Sequence, residues 1–245
     1  MDNNKTEDQI RFEKEIKEAL IIGNDNVNDI KICDTPQILL DAGMDQKPIL
    51  YSKNHLKNAI AKYDKVKHHH GISINSIYNL PQYIKEPAII LKNYKDKTKP
   101  ILVFNDINSE KSPLFAVLDM NGDGVYNLQE IDSNYMLSIY GKDKFDDYLR
   151  IAVDNKEVVY YDKEKVQDLE ALAGLSLSNC TSILEPNKIL QHIDKNVNNV
   201  YLKAVNNVHI TRCSVKEFYK NINEQDNNNR LIVNNKNRKD ISNEK

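Results

Sequence analysis

The sequence predicts an α+β fold in which N-terminal helices pack on an antiparallel sheet, and three observations point to it. Apolar residues recur at helical spacing up to about residue 85, whereas short apolar and β-branched runs take over from Ala88 onward. The order is helices first and strands afterwards, which is not a βαβ alternation. A hydrophobic fraction of 40% in 245 residues is enough to fill a proper core, and a charged fraction of 29% gives it a wet surface.

Residues 7 to 22 form the first amphipathic pattern, with Ile10, Ile16, Ala19 and Leu20 on one stripe and a stop at Gly23 and Asn24. Thr35 and Pro36 read as a cap followed by a proline in the first helical turn, for a short helix through Ile38, Leu39 and Leu40 to Gly43. Ser52 is positioned to cap a third helix, with Leu56, Ile60 and Tyr63 on one face, and Ser73 a fourth through Ile77. Pro81 breaks that element, and Tyr83 and Ile84 run on to Pro87.

Strands are expected over 88–91, 100–104 and 114–118, separated by Lys- and Asn-rich turns, and 134–140 reads as a strand or a short helix. Lys144 to Val153 looks helical because Phe145, Tyr148, Leu149 and Ala152 share a face. A buried strand at 158–161 and a helix at 163–173, ended by Gly174, complete the main body. Ile189, Leu190 and Ile193, then Val200 to Val208, read as an added helix and strand, and the Asn-rich end reads as disordered. The expected organisation is a helix and joint at 1–32, a main domain at 33–178, an extension at 179–220 and a tail at 221–245.

A net charge of −2 leaves no global electrostatic footprint for nucleic acid, so any such footprint must be local. Lys53, Lys57, Lys62, Lys65 and Lys67 do crowd one segment against a single acid, Asp64. Cys33, Cys180 and Cys213 are odd in number and show no C-x-x-C spacing, which excludes a zinc ribbon or a thioredoxin-type pair and suits reducing surroundings. No apolar stretch is long enough to cross a bilayer, so no membrane partner is expected.

The run Lys67-His68-His69-His70-Gly71 sets imidazoles and an ammonium beside a glycine turn. Imidazole accepts and donates protons near neutrality, so the run suits hydrolytic or nucleic-acid-cleaving chemistry, and a solvated basic turn is the alternative. Consecutive histidines point about 100° apart on a helix, so they do not form a metal site by themselves. A second motif competes: Asp119, Asn121, Asp123, the carbonyl of Val125 and Glu130 fit the spacing of a calcium loop, with Gly124 at the sharp turn. A Gly- and Asp-rich hairpin turn is the alternative there.

The stretch from about Cys33 to Ser178 resembles the C-terminal domain of phage MuF-type head-morphogenesis proteins, found also on polyvalent proteins of mobile elements and on polymorphic toxins. The matching pieces, in order, are Pro36-Gln37-Ile38-Leu39; Lys57-Asn58-Ala59-Ile60 ahead of His70-Gly71-Ile72; Leu80-Pro81 through Glu86-Pro87-Ala88-Ile89-Ile90; Pro100 to Val103; Asn134 to Ser138-Ile139-Tyr140-Gly141-Lys142; and Val159-Tyr160-Tyr161 before Lys163. The resemblance implies a nuclease-like fold of the barnase, EndoU, colicin and RelE kind and metal-independent RNA cleavage. His70 matches the family histidine, and Ser138 and Tyr140 match its Ser-x-Tyr; Asn93 stands where relatives tend to carry serine.

On that reading His70 is the acid or base, Lys67 lies near the phosphate, and Ser138 or Tyr140 donates a hydrogen bond or a second proton. Lys53, Lys57, Asn93, Asn134 and Lys142 are the expected substrate contacts. No cofactor is required, and calcium is the one ion for which the sequence offers a ligand set. The expected partners are tRNA, mRNA or rRNA and a cognate antidote or immunity protein. The expected location is the cytoplasm, or a target cell or phage particle reached without a cleaved signal peptide. The alternative function is a non-catalytic phage or mobile-element protein that binds nucleic acid or a capsid partner.

Overall fold

The computed structural model describes residues 5–22 and 28–193. In chain order these form α1 (Glu7–Ile22), β1 (Ile30–Asp34), α2 (Gln37–Asp41), β2 (Pro48–Tyr51), α3 (Lys53–Ile60), α4 (Ile74–Tyr78), α5 (Leu80–Lys85), β3 (Ile89–Leu91), β4 (Ile101–Ile107), β5 (Pro113–Tyr126), β6 (Gln129–Gly141), α6 (Phe145–Asp154), β7 (Val158–Tyr161), α7 (Lys163–Ala173) and α8 (Ser178–Thr181). The residues from Val200 to Val208, His209, Cys213, the Asn-rich tail, Gly23 and Asn24 lie outside the described residues.

The helix starts follow local chemistry. Ser52 accepts a hydrogen bond from the Asn54 amide, Ser73 from the Ser76 amide and Asp162 from the Lys165 amide, so each satisfies a donor that the first turn leaves open. Gly174 ends α7 at φ +66°, where a side chain would be strained. The α2 start differs from expectation. Pro36 itself is the N-cap residue, and Thr35 Oγ1 instead donates to the Lys47 carbonyl at 2.7 Å, tying the turn before α2 to the start of β2.

The seven strands form one sheet in the order β1-β2-β6-β5-β4-β3-β7. The expected antiparallel sheet is corrected to a mixed one, because β2 runs parallel to β6 with Ile49 opposite Asn134 and Tyr51 opposite Met136. Neither β1 nor β2 is evident from local pattern, since each is a short run between helices whose pairing is settled by distant residues. β1 also crosses the boundary placed between residues 32 and 33. Residues 134–140 are strand, being laddered on β5 from one side and partly on β2 from the other.

Both faces of the sheet are covered. Phe12 and Ile16 of α1, Leu39 of α2, Leu56 and Ala59 of α3, Ile77 of α4 and Ile84 of α5 pack with Ile90, Leu102, Phe104, Ala116 and Leu118. Ile89, Val103 and Phe115 point the opposite way, onto Phe145, Leu149 and Ala152 of α6 and Val166 and Leu169 of α7. This explains why the runs at 88–91, 101–104 and 114–118 are continuously apolar, as strands buried on both faces must be.

The outer edge of β7 is closed by the chain itself. The Asn187 amide donates to the Tyr161 carbonyl at 2.8 Å and the Leu190 amide to the Val159 carbonyl at 2.8 Å, so the 187–191 segment meets ladder groups an edge strand would leave open. Within the described residues, α8 is followed by this strap; the helix expected around Ile189, Leu190 and Ile193 is corrected to non-helical chain, because the Leu190 amide pairs with Val159 and the Ile193 amide with the Ala42 carbonyl, and Ile193 is buried against the core.

Candidate active site

Segment 70–72 is laid across the end of α3. The amides of His70, Gly71 and Ile72 donate to the carbonyls of Asn58, Ala61 and Ala59 at 3.1, 3.0 and 2.9 Å, filling acceptors that a helix end leaves unpaired. Gly71 sits at φ +64°, and a Cβ there would lie 2.5 Å from Ser109 Oγ and 2.9 Å from Tyr63 Cβ, so this close turn requires glycine. Asn108, buried in the β4–β5 turn, donates from Nδ2 to the His70 carbonyl at 3.3 Å. His70 is therefore held from both sides through its backbone, and its ring is set against the Tyr140 ring with centroids 5.9 Å apart.

The preceding turn is closed by Asp64 and His69, whose amides and carbonyls exchange hydrogen bonds of 3.0 and 3.1 Å. Asp64 Oδ1 accepts from the amides of Val66 and Lys67. Lys67 stands at the exposed tip, its Nζ 3.8 Å from Asp64 Oδ2. His68, exposed, and His69, half-buried, belong to the same turn. Lys67, expected near the phosphate, is not among the residues lining the cleft that Tyr140 faces; the turn carries it outward toward Asp64.

Tyr140 faces a cleft of about 410 Å³ whose walls come from five segments. The β3–β4 loop supplies Asn93, Tyr94 and Lys95; β4 and β5 supply Ile101 and Val117; β6 and its end supply Tyr140 and Lys142; α6 and the turn after it supply Tyr148, Ile151, Asn155 and Glu157. Asn93 builds its loop, since its Oδ1 accepts from the Lys95 amide at 3.0 Å. The Lys142 ammonium lies 5.0 Å from the Tyr148 ring centre and the Lys95 ammonium 5.6 Å from that of Tyr94. Ser138 pairs with Val117 two residues before Tyr140, and so shares its face of the strand.

Burial shapes the proton chemistry. It draws His70 below the ordinary imidazole value, helped by the neighbouring His68 and His69, so the ring is neutral at neutral pH. Burial raises Tyr140, with Tyr94 adding to the effect, and raises Tyr148, with Tyr140 and Glu157 adding. Both hydroxyls thus remain donors. Burial also raises the Glu157 carboxyl, against the pull of Lys97. The Glu157 amide donates to the Ala152 carbonyl at 2.7 Å, and its carbonyl accepts from the Lys92 amide at 2.8 Å, which fixes it between α6 and the lysine-rich loop.

Of the expected set the structure brings Tyr140, Asn93 and Lys142 into one cleft; the His70 ring lies against Tyr140 without lining it, and Ser138 shares the Tyr140 face of β6. The structure separates the others. Asn134 is fully buried, donating to Thr35 Oγ1 at 2.7 Å and the Asp45 carbonyl at 2.9 Å, so its expected substrate contact is corrected to a core hydrogen bond joining β6 to the α2 region. Lys53 and Lys57 lie on α3, with Lys53 at the end remote from the His70 attachment at Asn58. Tyr94, Lys95, Tyr148 and Glu157 were not among the expected site residues. The signal for the first two was the Tyr-Lys pair within the basic loop Lys92 to Lys99, while Tyr148 and Glu157 show only core or surface spacing.

Of the two readings of 119–130, the structure shows the hairpin turn. Asp119 to Glu130 is a β-hairpin, with Asp123 opposite Asp132 and Val125 opposite Glu130, turning at Asn127 and Leu128, both at positive φ. Extended strands spread the supposed ligands along the ladder, and the Val125 carbonyl accepts from the Asp29 amide at 2.7 Å. Among the described residues no cluster of three or more His, Cys, Asp or Glu is gathered to hold a metal ion. Nor is any described helix long and apolar enough to cross a membrane.

Fold and site together define an α+β domain in which a mixed seven-stranded sheet carries a basic, tyrosine-lined cleft with a histidine at its edge. The model of the phage MuF-C-terminal domain family matches residues 61–168, which include His70 and every residue lining the cleft. The resemblance read from the sequence is to this same family. No curated protein and no solved structure matches the chain.

Proposed function

We propose that the protein is a metal-independent endoribonuclease of toxin or mobile-element type. The observation that carries this reading is the His70 ring set against Tyr140 beside a cleft that also holds Lys95, Lys142, Tyr148 and Glu157. The ribose 2′-hydroxyl attacks the adjacent phosphorus, a new 2′-O–P bond forms and the P–O5′ bond breaks. Neutral His70 takes the 2′ proton, and the Tyr140 hydroxyl protonates the leaving 5′ oxygen. Lys142 and Lys95 oppose charge on the phosphoryl oxygens, with Tyr148 and Ser138 as hydrogen-bond donors. A cognate antidote protein would act by covering this cleft.

The resemblance to RNA-cleaving folds supports the same chemistry. Incubating the full chain with total RNA, with and without EDTA, tests it. The expected result is EDTA-insensitive cleavage leaving 2′,3′-cyclic phosphate ends, reduced by roughly 10²–10⁴-fold in His70→Ala. A His70→Ala protein as active as its parent overturns the mechanism. A second reading, a nucleic-acid-binding protein without catalysis, is favoured by the outward position of Lys67, and binding without cleavage would establish it.

A further inference from the structure

The chemistry lining the cleft also bears on what form of RNA it accepts. Tyr94 is 59% exposed on the β3–β4 loop and its ring forms part of the cleft wall. Its own loop contributes Lys92, Lys95, Lys97 and Lys99 against a single acid, Asp96, so a protein of net charge −2 concentrates positive charge beside an exposed aromatic face. Lys99 is engaged by Asp96 at 2.9 Å. Lys95 and Lys142 instead lie over tyrosine rings within the cleft.

Exposed ring, cations and hydroxyl donors in one cleft of about 410 Å³ match the parts of one nucleotide: a flat base, a phosphate and a sugar. Base edges inside an A-form duplex are stacked and their faces hidden, whereas unpaired bases can be splayed out onto an aromatic side chain. We infer that the cleft is a single-nucleotide subsite for unpaired RNA, in which Tyr94 stacks on the base while Lys95 and Lys142 hold the adjoining phosphate. The inference rests on the ribonuclease reading for its choice of RNA, but it concerns binding alone.

The test uses the full chain and a fluorescent ten-nucleotide 2′-O-methyl RNA, in which no 2′-hydroxyl is free to attack, either alone or annealed to its complement. Anisotropy is expected to show binding of the single strand at least tenfold tighter than the duplex. Tyr94→Ala should weaken the single strand by about tenfold, the scale of one lost base–aromatic stack, and Tyr94→Phe should restore it. Lys142→Ala should lower the slope of affinity against salt by about one phosphate contact. Equal binding of duplex and single strand, or a Tyr94→Ala protein that binds like its parent, overturns the inference. Binding that follows this pattern with no cleavage of ordinary RNA would remove the catalytic reading and leave the subsite standing; cleavage with no Tyr94 dependence would do the reverse.

Discussion

Replacing Asn108 by alanine should loosen the backbone clamp on His70, and the size of the effect follows from its three side-chain hydrogen bonds. Nδ2 donates to the His70 carbonyl at 3.3 Å, while Oδ1 accepts from the amides of Glu110 at 3.0 Å and Ser112 at 2.9 Å. The site is tight, since a Cβ on Gly141 would come within 2.3 Å of Asn108 Nδ2, so little water replaces the lost amide. Counting about 1 kcal/mol for each bond, the truncation should cost about 3 kcal/mol. For a chain of this size that lowers the melting temperature by roughly 6–12 °C. Asn108→Asp keeps both accepted bonds but turns a carboxylate oxygen toward the His70 carbonyl. Relative to the parent at the same pH, that variant should regain stability as the pH falls and the acid becomes a donor. Thermal melts followed by circular dichroism at pH 7 and pH 5 measure both effects. An Asn108→Ala protein melting within about 1 °C of its parent would refute the clamp.

Three further outcomes follow from the same structure. His70 is held below its ordinary value of 6.5, chiefly by burial, so the acid limb of the cleavage rate should inflect below pH 6.5. Between the folded value and 6.5 the unfolded chain binds more protons at this site, so its contribution to stability should rise with pH across that window and level off above it. A limb at or above 6.5 in a pH–rate profile would contradict the burial. Gln191 donates from Nε2 to the Val158 carbonyl at 2.9 Å and to the carbonyl of Lys156, a residue at φ +57°. Gln191→Ala should cost about 1–2 kcal/mol and speed hydrogen exchange at the Asn187 and Leu190 amides, and unchanged exchange would show that the strap does not depend on it.

Local chemistry made several elements readable in advance. Ser52, Ser73 and Gly174 mark helix ends because a cap or a positive-φ residue acts within a few positions of itself. The strands at 88–91 and 158–161 were evident because burial on both faces leaves no polar residue in the run. β1 and β2 were not evident. Their four or five residues resemble loop spacing between helices, and only the parallel pairing with β6 makes them strands. The calcium pattern at 119–130 left two readings open for the same reason: a motif specifies which ligands are available, whereas the ladder with residues 129–135 decides that the chain is extended there.

The candidate site divides along the same line. His70 is singled out by its residue type and by the family resemblance, and Tyr140 by the resemblance alone. Whether they meet, and with what, depended on Asn108, Gly71 and the end of α3, which together aim the 70–72 segment at β6. Sequence alone thus determined the caps at Ser52 and Ser73, the stop at Gly174 and the doubly buried strands, because each acts over a few residues. Tertiary structure alone decided the mixed sheet, the outward turn of Lys67, the burial of Asn134 and the recruitment of Tyr94, Tyr148 and Glu157, because those depend on contacts between segments far apart in the chain.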